Sequence, residues 1–132
     1  MKITRRGFTL VEIMVVVAIL GIVSAIVLLP NVLRNRISAN DSIAQATLKT
    51  ISNSFEAYMI ARNVYPADTD LLLADVPPYL QTDFFNGQPH SGFLYTGDVL
   101  TDYTYAITAA PVSASQGTRS FTMTTGGVLK AN

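Results

Sequence analysis

The sequence contains no cysteine and only one histidine among its 132 residues. The lack of cysteine excludes a disulfide framework, a thiolate metal site and a cysteine nucleophile. The one histidine, His90, lies in the predicted loop GQPHSG, where an exposed side chain is the default interpretation, and no partner residues identify a catalytic set. Phosphate-binding motifs such as G-x-G-x-x-G and the P-loop are also missing. The sequence therefore predicts a protein that is not an enzyme, and it indicates no cofactor.

The sequence also has no excess of positive or negative charge, because nine Lys and Arg residues balance nine Asp and Glu residues. No basic patch with interleaved aromatic residues occurs along the chain, so nucleic-acid binding has no electrostatic support. Removal of the first seven residues would take three basic side chains with it. The remainder would carry six basic and nine acidic side chains, a net charge of −3.

What the sequence does contain is one long apolar run, the 22 residues from Phe8 to Leu29. As a helix this run would be about 33 Å long, enough to cross a hydrocarbon core of about 30 Å. A secretory signal peptide would need a shorter apolar region of about 7–15 residues with a cleavage site behind it. A single-pass anchor fits the length, and the basic residues before the run would hold the N-terminus in the cytoplasm.

One residue of the run does not fit a simple anchor. The residues that are not strongly apolar are Thr9, Glu12, Gly21 and Ser24. Among these, only Glu12 carries a charge, and a carboxylate at the centre of a membrane helix costs roughly 2.5–3.5 kcal/mol on insertion scales. A cost of this size indicates that the carboxylate has a partner or a purpose.

The residues around Glu12 form a recognisable motif. After a short basic leader, Gly7 is followed by Phe8-Thr9-Leu10-Val11-Glu12, within the stretch GFTLVEIMVVVAILGIVSAIVLLP. This stretch resembles the N-terminal signature of the type IV pilin and pseudopilin family. The resemblance implies that a prepilin peptidase cuts after Gly7 and methylates the new amino terminus on Phe8. Glycine suits a scissile position because it allows a close approach of backbone to an active site.

The same resemblance implies that Glu12 acts in assembly, by neutralising the Phe8 amine of a neighbouring subunit in the filament core. Buried pairing restores much of the desolvation cost and sets the register between subunits. Two alternatives stay open. Residues four apart face each other on a helix, so Glu12 could pair with Phe8 of its own chain, or it could remain unpaired at the membrane surface.

Gly21 and Pro30 are the candidate positions for a break in this helix. Proline lacks an amide hydrogen and clashes with the preceding turn, and glycine is a weak helix former. In related filaments the corresponding stretch can lose helical structure when it is packed. Pro30 lies nine residues after Gly21, about one later than the family pattern, so the extent of any such melting is left open.

The resemblance further implies a structural subunit of a type IV pilus-like filament or a type II secretion pseudopilus. Residues 1–7 would be the leader, 8–30 the transmembrane and filament-core helix, and 31–132 a soluble pilin-like domain. The expected partners are the prepilin peptidase, other copies of the chain, minor pilin-like subunits, the inner-membrane assembly platform and the lipid bilayer. The subunit is expected in the bacterial inner membrane with its N-terminus in the cytoplasm, and after assembly in a periplasmic or cell-surface filament.

Other functions remain as alternatives. A membrane-anchored binding module that does not polymerise is the main one, and an enzyme on a membrane tether is another. Both would keep the leader. Within the leading class, the sequence does not separate a pilus from a pseudopilus, or motility, adhesion and DNA uptake from secretion. The missing cysteines depart from pilins with a disulfide-closed C-terminal loop, whereas the presence of Glu12 argues against the tip subunit that typically lacks this glutamate.

The chain after Pro30 predicts an α+β fold, in which a long N-terminal helix packs on a small antiparallel sheet. From Ile37 to about Asn63, apolar residues recur at the spacing of an amphipathic helix. Residues 64–91 predict a connecting loop with one or two short helical turns. The predicted strands are Gly92–Thr96, Asp102–Thr108, Arg119–Thr124 and Val128–Lys130, with a tight hairpin at Gly126-Gly127.

Two further sequence signals are weak. Asp98 and Asp102, in TGDVLTDY, are candidate calcium ligands, since calcium takes several oxygens that converge from such a loop. Major secretion pseudopilins commonly carry a calcium loop near the C-terminus, but this end does not match that pattern well, so solvated turn acids are the preferred interpretation and no metal is predicted. Asn40-Asp41-Ser42 fits an N-glycosylation sequon, but it lies on a predicted helix.

Overall fold

In a computed structural model of the protein, residues 7–132 are described. The elements in chain order are α1 (Leu10–Arg62), α2 (Leu71–Ala74), β1 (Phe93–Leu100), β2 (Tyr105–Pro111), β3 (Phe121–Thr124) and β4 (Val128–Ala131). This order confirms the predicted α+β fold. Of the predicted leader, only Gly7 lies within the described residues. Internal contacts divide the chain into two units, one that ends at Asn35 and one that comprises Arg36–Asn132.

The expected break at Gly21 or Pro30 is absent from the single chain, because α1 passes through both positions without interruption. Pro30 removes only one helical hydrogen bond, the one that its missing N–H would donate to the Ile26 carbonyl. Beside it, Asn31 Nδ2 lies 3.5 Å from the Val27 carbonyl oxygen, one turn earlier. Whether this stretch melts when it is packed in a filament stays a prediction.

The second half of α1 buries one face, as the spacing of its apolar residues predicts. Ala44, Leu48, Ile51 and Phe55 are fully buried, and Tyr58 is 9% exposed. These residues follow one another at intervals of three or four, which places them on one side of a helix. A fully buried large apolar side chain stabilises a fold by about 1.5–3 kcal/mol, so this face ties the helix to the rest of the domain.

The four strands form one antiparallel sheet in the order β1-β2-β3-β4. Alternate residues point into the core, as expected for a sheet with one covered face. They include Tyr105 and Ile107 in β2 and Phe121 and Met123 in β3. The rings of Phe55 and Tyr105 lie 4.8 Å apart between centroids, so the buried face of α1 packs directly on this sheet.

The start of β2 differs from its prediction. β2 begins at Tyr105 rather than Asp102, because residues 101–104 form a turn. The amide of Thr101 donates to the Thr104 carbonyl at 2.9 Å. Tyrosine at alternate positions favours a strand through this turn, but Thr101 and Thr104 bond to each other and the Asp102 carbonyl accepts from the Tyr65 amide. Correspondingly, β1 extends beyond its predicted end and closes on the same turn.

The predicted hairpin between the last two strands is confirmed. Gly126 and Gly127 adopt φ values of 77° and 72°, in the left-handed region that glycine enters without a Cβ penalty. β3 and β4 pair antiparallel on either side, with Thr124 opposite Val128. The predicted loop of residues 64–91 contains α2 as its short helical turn.

Candidate functional site

The peptide bond between Gly7 and Phe8 lies just outside α1. Residues 7–9 are not helical, and the helix begins at Leu10. Phe8 is 78% exposed, and among residues 7–132 no atom lies within 4 Å of the position that a Cβ on Gly7 would take. A processing enzyme would therefore meet an exposed, non-helical segment at this bond.

Thr9 and Glu12 cap the start of α1 in a reciprocal arrangement. The amide of Glu12 lies 3.3 Å from Thr9 Oγ1 as donor, and the amide of Thr9 lies 3.5 Å from Glu12 Oε2. This is the geometry of a capping box, in which a Thr and a Glu three residues later satisfy each other's free amides. Sequence reasoning missed Thr9, although the spacing T-x-x-E was its signal.

The capping box changes the account of Glu12. A carboxylate in the first turn interacts favourably with the helix dipole, by about 0.3–1 kcal/mol at an exposed site, so part of its cost in the single chain is offset. Only Oε2 is engaged by Thr9, and Oε1 accepts no hydrogen bond from residues 7–132. The carboxylate can therefore hold the helix start and still accept a cation.

The helix surface behind this cap is apolar on every side. The large apolar side chains between Phe8 and Val27 are 48–78% exposed, and α1 is long and apolar enough to cross a membrane. A contiguous apolar surface of this extent marks a site of contact with lipid or with another protein. The apolar surface of the first unit is thus suited to contact with lipid or with another protein.

The two candidate calcium ligands have separate local roles. Asp98 Oδ1 accepts a hydrogen bond from Thr96 Oγ1 at 3.2 Å. The backbone oxygen of Asp102 accepts one from the Tyr65 amide at 2.9 Å, while its side chain is exposed. Within the part of the chain that the structure describes, no three His, Asp or Glu side chains are grouped to hold a metal ion.

His90 is not the exposed loop residue that the sequence suggests. It forms an isolated β-bridge with Phe93, and its ring lies 5.1 Å from that of Phe84 between centroids. Its Nε2 is buried and finds no hydrogen-bond partner among the described residues. These contacts give His90 a packing role at the start of β1.

The sequon residue Asn40 lies on α1, as predicted, and its side chain is engaged. Asn40 Nδ2 donates to the Gln116 carbonyl at 2.9 Å. The neighbouring Asp41 accepts from the Thr118 amide at 3.1 Å and from Thr118 Oγ1 at 2.6 Å. Both side chains therefore fasten the loop between β2 and β3 to the helix, and modification of Asn40 would break its bond.

Glu56 is a residue whose importance the sequence analysis missed. It is half-buried, and its carboxylate accepts hydrogen bonds from the hydroxyls of Tyr65 and Tyr105, at 3.0 and 3.1 Å. It also accepts the Gly126 amide at 3.2 Å. One side chain of α1 thus joins the loop after the helix, strand β2 and the hairpin between β3 and β4.

The two tyrosines at Glu56 are perturbed by their surroundings. Burial raises the pKa of Tyr105 to about 12; the hydrogen bond with Ser52 opposes this rise and the one to Glu56 adds to it. Burial and the hydrogen bond to Glu56 also raise the pKa of Tyr65. Both hydroxyls are therefore fixed as donors at neutral pH. This cluster supports the fold of the domain, and the head of α1 remains the candidate site.

Comparison with known proteins agrees with the sequence at the head of α1. Residues 3–28 match the prokaryotic N-terminal methylation motif. The chain is 39% identical over 69 residues to the type IV wide pilus major component PilA4 of Thermus thermophilus, which covers 52% of each chain.

Similarity extends to a secretion component. The chain is 34% identical over 91 residues to the type II secretion system core protein G of Pectobacterium carotovorum, covering 68% of this chain and 57% of that protein. It is 42% identical over 62 residues to the protein of the same name in Vibrio cholerae, covering 47% and 42%. The chain thus spans about half the length of the curated relatives it matches. The chain carries the prokaryotic N-terminal methylation motif at residues 3–28, and it is similar to a type IV pilus component and to type II secretion core proteins.

Proposed function

We propose that this protein is a structural subunit of a type IV pilus-like filament or of a type II secretion pseudopilus. One observation carries the proposal: the head of α1 combines an exposed Gly7–Phe8 bond, the Thr9–Glu12 capping box and a helix that is apolar on every side. The relatives named above are a pilus component and core proteins of a secretion system. The proposal assigns no catalytic activity to the chain.

Processing comes first in this scheme. A prepilin peptidase cuts after Gly7 and methylates the amine of Phe8. The cut leaves a cationic amine one residue before the cap residue Thr9, at the positive end of the helix dipole. That amine is unfavourable there without a counter-charge, and Glu12 is the nearest carboxylate in the sequence.

Assembly then uses the carboxylate that the cap leaves partly free. Glu12 Oε1 is available to the Phe8 amine of an incoming copy, while Oε2 stays near the Thr9 amide. In the apolar centre of a filament, such a pair fixes the axial register between subunits, because a shift would leave both charges uncompensated. The exposed apolar surface of α1 supplies the remaining contacts between copies.

The same helix places the protein before assembly. In this proposal residues 8–30 span the bacterial inner membrane, the N-terminus faces the cytoplasm, and residues 31–132 form the soluble domain on the other side. The assembly platform of that membrane and minor pilin-like subunits are the further partners. After assembly the chain lies in a periplasmic or cell-surface filament. A non-polymerising membrane-anchored module is the alternative, and the relatives do not favour it.

Processing is tested by intact-mass measurement of the protein isolated from its membrane. Wild type should comprise residues 8–132 with one added methyl group. Gly7→Leu should leave the full-length precursor in the membrane fraction, because a bulky side chain obstructs the scissile position. Recovery of mature wild-type protein that still carries residues 1–7 would contradict the proposal.

Assembly is tested by replacing Glu12. Removing one member of a buried charge pair costs about 3–5 kcal/mol, so Glu12→Ala should be processed normally yet lower filament yield at least hundredfold by electron microscopy. Glu12→Gln is the matched control, since glutamine also completes a capping box. Loss of filaments in both variants indicates that assembly needs the charge of Glu12, whereas loss in Glu12→Ala alone would indicate that assembly needs only the capping box. Wild-type yields from both would refute the role of Glu12.

A further inference from the structure

One end of the domain, within Arg36–Asn132, carries a hydrogen-bonded turn with two exposed side chains. Residues 101–104 are closed by the bond from the Thr101 amide to the Thr104 carbonyl and by a bond from the Thr104 amide to Thr101 Oγ1 at 3.0 Å. The backbone oxygen of Asp102 is also held by the Tyr65 amide at 2.9 Å. The turn presents an exposed Asp102 carboxylate and the ring of Tyr103, which is 71% exposed. We call Asp102 and Tyr103 the turn knob.

The other end of the domain contains an open groove of about 350 Å³. Its lining on the α1 side is Ser38, Asp41, Ser42 and Gln45, and on the sheet side it is Arg119, Phe121, Leu129 and Ala131. A cavity of about 150 Å³ accommodates a benzene molecule, so this groove has room for a tyrosine ring. Its shape is fixed in the free domain, because Asn40 and Asp41 hydrogen-bond the β2–β3 loop beside it.

The knob of one chain cannot reach its own groove. The knob is anchored to Tyr65, beyond the end of α1 at Arg62, whereas the groove lies along Ser38–Gln45 of the same helix. At 1.5 Å per residue, Gln45 and Arg62 are about 25 Å apart along the helix axis. An occupant that resembles the knob must therefore come from a second copy of the chain.

Charge favours that second copy as the occupant. Residues 63–102 contain six aspartates and no lysine or arginine, and residues 103–132 contain Arg119 and Lys130 and no acidic residue. The Asp102 carboxylate of the knob belongs to the first segment, and Arg119 of the groove belongs to the second. Asp41 also lines the groove, where its carboxylate already accepts hydrogen bonds from the Thr118 amide and hydroxyl. The guanidinium of Arg119 is exposed and makes no ion pair within residues 7–132. The Asp102 carboxylate at one end of the domain and the Arg119 guanidinium at the other are thus complementary in charge, and the groove has room for the Tyr103 ring.

We propose that the turn knob of one subunit docks into the groove of the next, with Asp102 facing Arg119 and the Tyr103 ring against Phe121 and Leu129. This contact rests on the proposed function, since it joins subunits that α1 has already brought into one filament. It is heterologous, with different surfaces on the two partners, and such a contact builds an open helical filament when its rotation does not close into a ring. Tyrosine and arginine are also the residues that most often dominate interface energetics.

The absence of cysteine allows a direct test by cross-linking in filaments of the full chain. Tyr103→Cys combined with Ser42→Cys places one thiol on the knob and one in the groove, and these are the only thiols in the protein. Mild oxidation of sheared filaments should then yield a ladder of covalent multimers on a non-reducing gel. Each single-cysteine variant should yield at most a dimer. Tyr103→Cys with Lys130→Cys is the matched control, because Lys130 lies outside the groove, and it should give no ladder.

A charge swap tests the same contact independently of cysteine chemistry. Asp102→Arg and Arg119→Asp should each lower filament yield roughly tenfold or more, because like charges then meet at the interface. The two changes combined should restore the yield to within about threefold of wild type. Lys130→Asp, which reverses a charge outside the groove, should leave the yield within about twofold.

The outcomes separate this contact from the proposed function. A ladder together with rescue by the double swap supports the contact. Filaments with wild-type yield in both single swaps, or cross-linked filaments without a ladder, overturn it and leave the filament function standing. Failure of the double swap to exceed the single variants also overturns it. No filaments from processed wild-type chain would overturn the proposed function, and this contact with it.

Discussion

Replacement of Glu56 by alanine should destabilise the domain by about 2–3 kcal/mol. The Tyr65 side chain, 6% exposed, loses the acceptor of its hydroxyl, and an unsatisfied buried donor costs about 1–3 kcal/mol. Tyr105 keeps a partner in Ser52 at 2.7 Å, so its loss is smaller, on the order of 1 kcal/mol. The exposed Gly126 amide can bind water instead and contributes little.

The assay follows from the composition. The chain contains six tyrosines and no tryptophan, so the near-UV signal of the tyrosines reports on the packing of the domain in detergent-solubilised full-length protein. A change of 1 kcal/mol shifts the melting temperature of a domain of this size by about 4–8 °C. Glu56→Ala should therefore melt about 10–20 °C below wild type.

Glu56→Gln is the matched control. The amide oxygen of glutamine can take the place of Oε1, which accepts from Tyr105 and Gly126, and it remains within reach of Tyr65. Only the strengthening by charge is lost, on the order of 1 kcal/mol. An alanine variant within about 0.5 kcal/mol of wild type, or a glutamine variant as unstable as the alanine one, would refute the reasoning.

Three further outcomes are expected. The pKa of Tyr105 is about 12 in the folded domain and about 10 in the unfolded chain. Between these pH values the unfolded chain releases the tyrosine proton first, so the stability of the domain should fall as pH rises. Tyr105→Phe should make this fall shallower in thermal melts from pH 9 to 12. Gly117→Ala should destabilise the domain by at least about 1 kcal/mol, because the added Cβ would overlap Phe93 Cζ and lie 2.9 Å from Pro111 Cβ; a melting temperature equal to that of wild type would show that the loop shifts without cost. Gly21 has open space around it, so Gly21→Ala should leave the melting temperature unchanged and slightly raise the helix content in detergent. A lower melting temperature would contradict this.

Local patterns predicted most of the fold. The buried face of α1 was readable because burial repeats every three or four residues, as Leu48, Ile51 and Phe55 show. The inward residues of β3 were readable because burial alternates in a strand. The turn at residues 101–104 was not, since tyrosines at alternate positions continue across it and mimic a strand. There, hydrogen bonds between two threonines decide the local structure.

The candidate site was predicted unevenly. Gly7, Phe8 and Glu12 follow from the motif, but Thr9 was overlooked because Glu12 was interpreted only as a membrane charge. Glu56 could not be found from spacing, since its donors from Tyr105 and Gly126 lie 49 and 70 residues away in sequence. A polar residue beside an apolar stripe is usually solvated, and only the folded sheet shows that this one is not.

Strands β1 and β4 form the two edges of the sheet. The structure of these edges affects whether neighbouring domains can lie close together without aggregating. At one edge, β1 carries a register shift between Gly97 and Val99, which interrupts a regular ladder at the position of Asp98. At the other edge, β4 is only four residues long and includes Lys130. Short, bulged and charged edges resist the addition of further strands. In a filament, tethering holds neighbouring domains at effective concentrations in the millimolar range, at which unguarded edges would fuse adjacent sheets into aggregates. The edges of this sheet therefore let many copies be held side by side while each domain remains separately folded.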